Sequence, residues 1–325
     1  MMFSWAPVHS PILFVPLAME RVWGGRHFEY LLGKELPENA VVGELWEIVD
    51  RPEAQSVVCE GPLKGKTLHD LWTSARSDYF GSRHLKNPSS RFPLLMKLLD
   101  ARERLSVQVH PPAHRADELR GEPKTECWYF LDAGKNASVF AGLKHGVTEE
   151  SFEEALAAGN VEEKLHRVAV SSGESIFIPS GRLHAIGEEL VIVEVQQNSD
   201  TTYRVFDWNR MGLDGKPRDL HREQSLSSID FSDFEPAITP ASEPIVADCP
   251  FFHVEKKKVS EPLNLSMPGD FCILTGLTGE AECGGVRVLP GRFLLIPSCL
   301  KQALLTPLRE NTSVLVTRLP ASEKS

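Results

Sequence analysis

Short stretches in which apolar and polar residues alternate, separated by glycine and proline, run through most of this 325-residue chain. A period of two is typical of β-strands that bury one face. The alternation predicts strands at 41–49, 92–98, 105–110, 126–131, 175–179, 190–196, 271–277, 292–296 and 313–317. Short strands at this spacing, with turn residues between them, indicate a sandwich or jelly roll rather than alternating βαβ units.

Helical signals are fewer than strand signals. Thr67 and Thr148 each stand where a side chain can cap the first turn of a helix. Gly121 and Gly159 stand where a helix would end. These residues predict three short helices, at 68–76, 113–120 and 149–158. The expected fold is therefore mainly β, with a few short helices.

One glycine–strand–proline pattern occurs twice in the chain. Residues 173–180 read GESIFIPS, and residues 291–298 read GRFLLIPS. A turn glycine, a buried strand and a proline exit are common to both, so we interpret the pattern as an internal duplication. His184 follows the first copy, whereas Gln302 holds the equivalent position after the second. We therefore expect the chemistry in the first copy and a structural role for the second.

The duplication and the local composition together predict the domain organisation. An N-terminal catalytic domain is expected over residues 1–226 and a C-terminal structural domain over 245–325. The segment between them, 227–244, is rich in serine, proline and acidic residues, and we interpret it as a linker.

Composition narrows the class of function. Hydrophobic residues make up 42% of the chain and charged residues 25%, as in soluble globular proteins. The net charge of −10, without a long basic run, argues against nucleic acid as a partner but not against a phosphorylated substrate. No apolar run is long enough to span a membrane, and Pro7, Pro11 and Pro16 interrupt an N-terminus that lacks a signal-peptide pattern. The six cysteines form no C-x-x-C pair, so we expect reduced thiols in the cytoplasm.

The strand at 105–110 is the most informative stretch of the chain. Its alternation places Ser106, Gln108 and His110 on one face and two valines on the other. Pro111 then ends the strand, because proline cannot donate to the ladder. A row of polar side chains on one strand face predicts the lining of a pocket.

Two further segments carry side chains of related chemistry. Lys124 and Glu126 share one face of the next strand, and His184 follows the glycine turn at 181. Together with Gln108 and His110, these residues offer two imidazoles, a carboxylate and an amide oxygen. Such a set is suited to a divalent metal of zinc or iron type. Because each residue lies beside a proline or glycine turn at a strand end, we expect them to meet at one site.

These motifs resemble those of the type I phosphomannose isomerases of the cupin superfamily, in their short bacterial form. The similarity rests first on SVQVHP at 106–111, KTECWY at 124–129 and PSGRLHA at 179–185. It extends to the segments WGG at 23–25, GELW at 43–46 and SDTTYR at 199–204. It covers about residues 12–210, and the second half of the chain matches mainly in its repeat.

The resemblance implies two cupin-type jelly-roll domains and a zinc-dependent aldose–ketose isomerase. The implied reaction interconverts mannose 6-phosphate and fructose 6-phosphate through a cis-enediol. The implied ligands of one zinc per chain are Gln108, His110, Glu126 and His184. The implied catalytic residues are Arg204, Lys124 and Asp200. The expected substrate-binding residues are Trp23 and Glu44, with Ser106 as a hydroxyl of the pocket wall.

The individual roles remain partly open at this point. We expect Arg204 to stabilise charge, assist ring opening or contact the phosphate, since a guanidinium suits planar oxygen groups. Lys124 is expected to transfer a proton or to contact the phosphate. The base that forms the enediol stays open between Lys124, Glu44 and Asp200.

Two other functions compete with the isomerase. An iron oxygenase of cupin type would use His110, Glu126 and His184 as two histidines and one carboxylate. A fourth protein ligand at Gln108 argues against it, because oxygen activation needs open positions. A non-catalytic sugar-phosphate-binding homologue would not need the full ligand set together with Lys124 and Arg204. The expected partner is a small sugar phosphate. The sequence does not reveal how many copies of the chain associate.

Overall fold

The computed structural model describes residues 8–320. Pro7, on which part of the signal-peptide argument depends, lies outside the described residues. The chain divides into two compact units. The first unit contains Ala18–Leu45 and Leu98–Ser242, and the second contains the residues up to Leu17, Trp46–Lys97 and the residues from Glu243 onward.

Both units are discontinuous along the chain, whereas the sequence predicts continuous domains at 1–226 and 245–325. Those boundaries stay a prediction. The segment 227–244 is anchored on the first unit: Arg182 donates twice to Asp233 at 2.7 Å, and Thr239 forms a β-bridge with Ser175.

Twenty strands make up most of the regular structure of the described chain. The first eleven are β1 Leu17–Gly25, β2 Val42–Ile48, β3 Leu94–Ala101, β4 Val107–Val109, β5 Glu126–Ala133, β6 Ser138–Leu143, β7 Leu165–Ala169, β8 Ser175–Ile178, β9 His184–Ile186, β10 Leu190–Gln197 and β11 Tyr203–Phe206. The others are β12 Ile245–Asp248, β13 His253–Lys258, β14 Leu263–Asn264, β15 Cys272–Thr278, β16 Ala281–Cys283, β17 Val286–Val288, β18 Phe293–Ile296, β19 Leu304–Pro307 and β20 Ser313–Arg318.

The helices are short. They are α1 His27–Leu32, α2 Leu68–Ser74, α3 Arg76–Tyr79, α4 Ala113–Ala116, α5 Glu149–Ala158 and α6 Arg222–Ser228, with 3-10 turns at Ser82–His84 and Val161–Lys164. The capping residues Thr67 and Thr148 are confirmed, since each accepts a hydrogen bond from the third residue of its helix. The helix predicted over 113–120 is wrong in length. No side chain caps α4, and the chain leaves it through a turn that closes on Gly121.

Two sheets form the framework of the first unit. One has the strand order β11-β4-β9-β6-β7, and the other has the order β1-β2-β3-β10-β5-β8, with the unit boundary inside β2 and β3. Trp128 of β5 and Val139 of β6 belong to one apolar core, so the two sheets pack face to face. Val107 and Val109 lie on the opposite face of β4, in a second cluster with Phe152 of α5. The predicted mainly β sandwich is confirmed.

The second unit has two sheets of its own, with orders β12-β13-β20-β15-β18 and β14-β19-β16-β17. Leu274, Val316 and Leu305 are among the residues of its apolar core, which draws on both sheets. Among the described residues, no helix is long and apolar enough to cross a membrane.

The duplicated motif has the same local structure in both places. Gly173 and Gly291 have φ of 91° and 72°, a left-handed conformation that glycine adopts without strain. Each is followed by a strand, β8 or β18, at the end of its sheet. The positive φ explains why glycine opens both copies.

Candidate metal centre

Three polar side chains form a row across the five-stranded sheet of the first unit. Gln108 of β4 pairs with His184 of β9 on one side and with Arg204 of β11 on the other. Residues directly opposite each other in an antiparallel pair project from the same face. Since the valines of β4 occupy the helix-covered face, this row lies on the face that looks toward the other sheet.

Backbone carbonyls orient both histidines. His110 Nδ1 lies 2.8 Å from the carbonyl oxygen of Thr201, and His184 Nδ1 lies 2.8 Å from that of Arg182. A carbonyl can only accept, so Nδ1 of each ring carries the hydrogen and Nε2 presents its lone pair. This is the orientation in which a histidine binds a metal through Nε2.

Both imidazoles are neutral at pH 7. Burial lowers the pKa of His184 to about 3, and the neighbouring His110 adds to that effect. Burial, helped by the charge of Lys124, also lowers the pKa of His110. Their lone pairs are therefore not taken up by protons.

The carboxylate of Glu126 reaches the two histidines from β5 of the other sheet. Glu126 Oε2 lies 3.7 Å from His110 Nε2, and Oε1 lies 3.6 Å from His184 Nε2. All three side chains are completely buried. Burial alone would raise the pKa of Glu126, but the charge of Lys124 holds that pKa well below its usual range. The carboxylate is ionised.

These three residues fit a bound metal. Their ligand atoms all lie within 4.8 Å of one another. His110 Nε2 and Glu126 Oε1 are buried and have no hydrogen-bond partner among the described residues. Buried polar atoms are normally satisfied, so buried ligand atoms without a hydrogen-bond partner suit coordination of a cation. Two neutral imidazoles and one carboxylate are a donor set for zinc or iron.

Gln108 lies beside this set, but its nitrogen faces the histidine. Gln108 Nε2 is 3.2 Å from His184 Nε2, and Gln108 Oε1 accepts a hydrogen bond from Ser106 Oγ at 3.3 Å. A metal requires the amide oxygen, so ligation by Gln108 requires the amide to rotate by half a turn. Its role as a ligand stays a prediction.

Lys124 connects the metal cluster to a second buried acid. Lys124 Nζ lies 2.6 Å from Glu126 Oε2 and 4.0 Å from Glu194 Oε1. Trp128 Nε1 donates to the other oxygen of Glu194 at 3.1 Å. Burial opposes the charge of Lys124, but the two glutamates raise its pKa above the usual value, so it stays protonated.

The sequence reasoning missed Glu194. It is a carboxylate in the middle of the apolar strand β10, LVIVEVQQ, and it is 3% exposed. A charged residue is almost never fully buried unless it is paired. One acidic residue within an apolar strand was therefore a signal that could have placed it in the site.

The other predicted site residues lie in varied surroundings. Trp23 is 3% exposed within the apolar core, and Glu44 forms an ion pair with Arg21 at 2.9 Å. Ser106 is buried next to Gln108. Asp200 is exposed, and its charge contributes to the raised pKa of Lys124. The substrate-binding and catalytic roles of these residues stay predictions.

A buried cluster of histidines and glutamate inside a β-sandwich is a candidate metal site of the kind found in cupin proteins. Comparison with known proteins narrows the class of protein. A family model described as the catalytic domain of type I phosphomannose isomerase matches residues 14–141. The chain belongs to the type I phosphomannose isomerase family.

Relatives support this assignment over nearly the whole chain. The mannose-6-phosphate isomerase ManA of Bacillus subtilis is 36% identical over 301 residues, which is 89% of this chain and 93% of the relative. A mannose-6-phosphate isomerase of Streptococcus mutans is 34% identical over 90% of this chain and 94% of its own length. The crystal structure of a Bacillus subtilis mannose 6-phosphate isomerase superimposes with a TM-score of 0.84 and 28% identity, and it covers 95% of this chain and all of that one.

Proposed function

We propose that this chain is a metal-dependent aldose–ketose isomerase that interconverts mannose 6-phosphate and fructose 6-phosphate through a cis-enediol. The observation that carries the proposal is the buried convergence of His110, Glu126 and His184, with Lys124 in contact with the carboxylate. Relatives that are named for this activity match about 90% of this chain.

We assign one zinc ion per chain to this cluster. Zinc accepts imidazole nitrogen and carboxylate oxygen together, and His110, Glu126 and His184 supply three such donors. Gln108, with its amide turned, supplies a fourth. When bound, zinc provides Lewis-acid stabilisation of negative charge on a substrate oxygen.

The protein's own groups handle the protons. Isomerisation moves a proton between C1 and C2 and needs both a proton donor and a base near the sugar. Lys124 Nζ carries a proton at the edge of the cluster. We assign to Lys124 the transfer of this proton to and from the substrate oxygens. The carboxylate of Glu194 lies next to it and completes a relay, which makes Glu194 a candidate base beside Glu44 and Asp200.

Arg204 supplies positive charge on the same face. It neighbours Gln108 in the sheet, and none of the described carboxylates lies within 4.0 Å of its guanidinium. A half-buried cation without an acidic partner is placed to bind an anionic group of the substrate. Its role in charge stabilisation or phosphate contact therefore remains part of the proposal.

One observation favours a competing function. The amide nitrogen of Gln108 faces His184, which leaves two histidines and one carboxylate, the ligand set of non-haem iron oxygenases. Metal analysis of protein purified without added metal separates the two: zinc supports the isomerase, and iron supports the oxygenase. A non-catalytic homologue would hold metal without turnover.

We also assign the protein to the cytoplasm. All six cysteines are free, as expected for a reducing compartment. The partner is the sugar phosphate itself. The proposed activity is tested with a coupled assay that follows fructose 6-phosphate formed from mannose 6-phosphate. Turnover that is abolished by chelation supports the isomerase, and a metal-loaded protein without turnover overturns it.

A further inference from the structure

Arg204 lies near the buried carboxylate of Asp207, which two other arginines bind. Asp207 accepts from Arg218 Nε at 2.7 Å and Nη2 at 2.5 Å, and from Arg210 Nη2 at 2.9 Å. Arg204 itself reaches only the backbone carbonyl of Asp219, at 2.8 Å, and its Nε is buried without a hydrogen-bond partner. The guanidinium of Arg204 is close to that of Arg218. Burial, together with the positive charge of Arg218, lowers the pKa of Arg204.

The loop that carries Arg218 is tied to the strand of Arg204. His221 N donates to the carbonyl of Arg204 at 2.8 Å, and Arg204 N donates to His221 Nδ1 at 3.1 Å. At the other end of the loop, Trp208 and Asn209 have φ of 54° and 55°. A bulky residue is strained in this left-handed conformation, and such strain clusters at ligand sites.

The cluster formed by Asp207 and the arginines at 204, 210 and 218 has an excess of positive charge next to Arg204. The carboxylate of Asp207 is shared by Arg210 and Arg218, and none of the described acids forms an ion pair with Arg204. Other acids near the cluster are Glu103, which lies 3.5 Å from Arg210, and Asp214 and Asp219, which are exposed. Two neighbouring guanidiniums, one without an acid partner, suit a dianion that accepts from both.

We propose that Arg218 acts with Arg204 as the pair that binds the substrate phosphate, and that Arg218 thereby selects phosphorylated over unphosphorylated hexoses. The proposal rests on the proposed isomerase function and names a residue that determines its specificity. Because Asp207 takes Nε and Nη2 of Arg218, the contact with phosphate uses Arg218 Nη1 together with the guanidinium of Arg204. No covalent step is involved.

The variant Arg218→Ala tests this proposal in the metal-loaded protein. We expect the KM for mannose 6-phosphate to rise by about 10- to 100-fold, as for the loss of a charge-assisted hydrogen bond. We expect kcat to change little and any turnover of unphosphorylated mannose to stay the same. Arg218→Lys keeps the charge but cannot bind Asp207 and the phosphate with separate nitrogens, so its KM should lie between those of the unmodified protein and Arg218→Ala. The matched control is Arg222→Ala, which removes an exposed arginine paired with Glu153.

Binding of inorganic phosphate by isothermal titration calorimetry gives a readout that is independent of turnover. Weaker phosphate binding in Arg218→Ala than in Arg222→Ala supports the proposal. Equal binding overturns it, as does an equal loss of activity toward phosphorylated and unphosphorylated sugar, which would indicate a structural role for the loop. If the unmodified protein binds phosphate but does not isomerise mannose 6-phosphate, the proposed function fails and the phosphate site stands.

Discussion

Replacing Lys124 by methionine removes the only cation in contact with the carboxylate of Glu126 in the described structure. The side chain of Lys124 is 5% exposed, and those of Glu126 and Glu194 are 0% and 4% exposed. Removing one partner of a buried ion pair leaves an uncompensated charge and costs about 3–5 kcal/mol. For a chain of this length, with about 2.1 cal/mol/K of unfolding entropy per residue, that cost corresponds to a fall of roughly 4–7 °C in Tm.

The assay is thermal unfolding of the metal-free and the zinc-loaded protein. We expect the full destabilisation in the metal-free variant and a smaller one after loading, because a divalent cation also neutralises Glu126. Turnover of the zinc-loaded variant should fall by about 10²- to 10⁴-fold, the contribution of a general acid or base, while zinc stays bound. Lys144→Met removes an exposed lysine that donates to the carbonyl of Glu163, and it serves as the control. A metal-free Lys124→Met protein as stable as this control would refute the electrostatic reasoning.

Three further predictions concern the same cluster. His184→Ala should lose metal and activity together, and stoichiometric metal in the purified variant would exclude His184 as a ligand. Glu194→Gln should keep zinc and lower kcat by at least about tenfold, since it weakens the relay to Lys124; an unchanged kcat would remove Glu194 from the mechanism. The pKa of His184 is about 3 in the folded protein, and its ordinary value is 6.5. Between pH 3 and 6.5 the unfolded chain therefore binds more protons at His184 than the folded protein does. The metal-free protein should therefore lose stability as pH falls from about 6.5 toward 3, by up to about 1.4 kcal/mol per pH unit for this group, and His184→Ala should show a smaller slope in denaturant titrations.

The strand pattern predicted the mainly β fold and the side chains that share a strand face, but not which strands become neighbours. Alternation in β4 placed Gln108 and His110 opposite the valines, because a period of two leaves a half-buried strand little choice of face. The pairing of Gln108 with both His184 and Arg204 could not be predicted in this way. Those partners are distant in sequence, and which strands become neighbours depends on the packing of the whole sandwich.

The hydrogen-bond partners of the site residues could not be predicted from the sequence either. The carbonyls that orient the two imidazoles belong to Thr201 and Arg182, whose positions follow from loop conformations rather than from any residue pattern. The cluster around Asp207 depends on a loop that brings Arg218 back to the strand of Arg204. The discontinuous units have the same cause, since residues distant along the chain share one core.

His110, Glu126 and His184 are proposed to hold the metal on which isomerisation depends. The decisive measurement strips the protein with a chelator, titrates it with zinc, and follows bound metal and the rate of mannose 6-phosphate conversion in the same samples. We expect no activity without metal and a linear rise in activity that ends at one zinc per chain. Full turnover by the metal-free protein would contradict this assignment. So would a His184→Ala variant that binds no zinc and is nevertheless active.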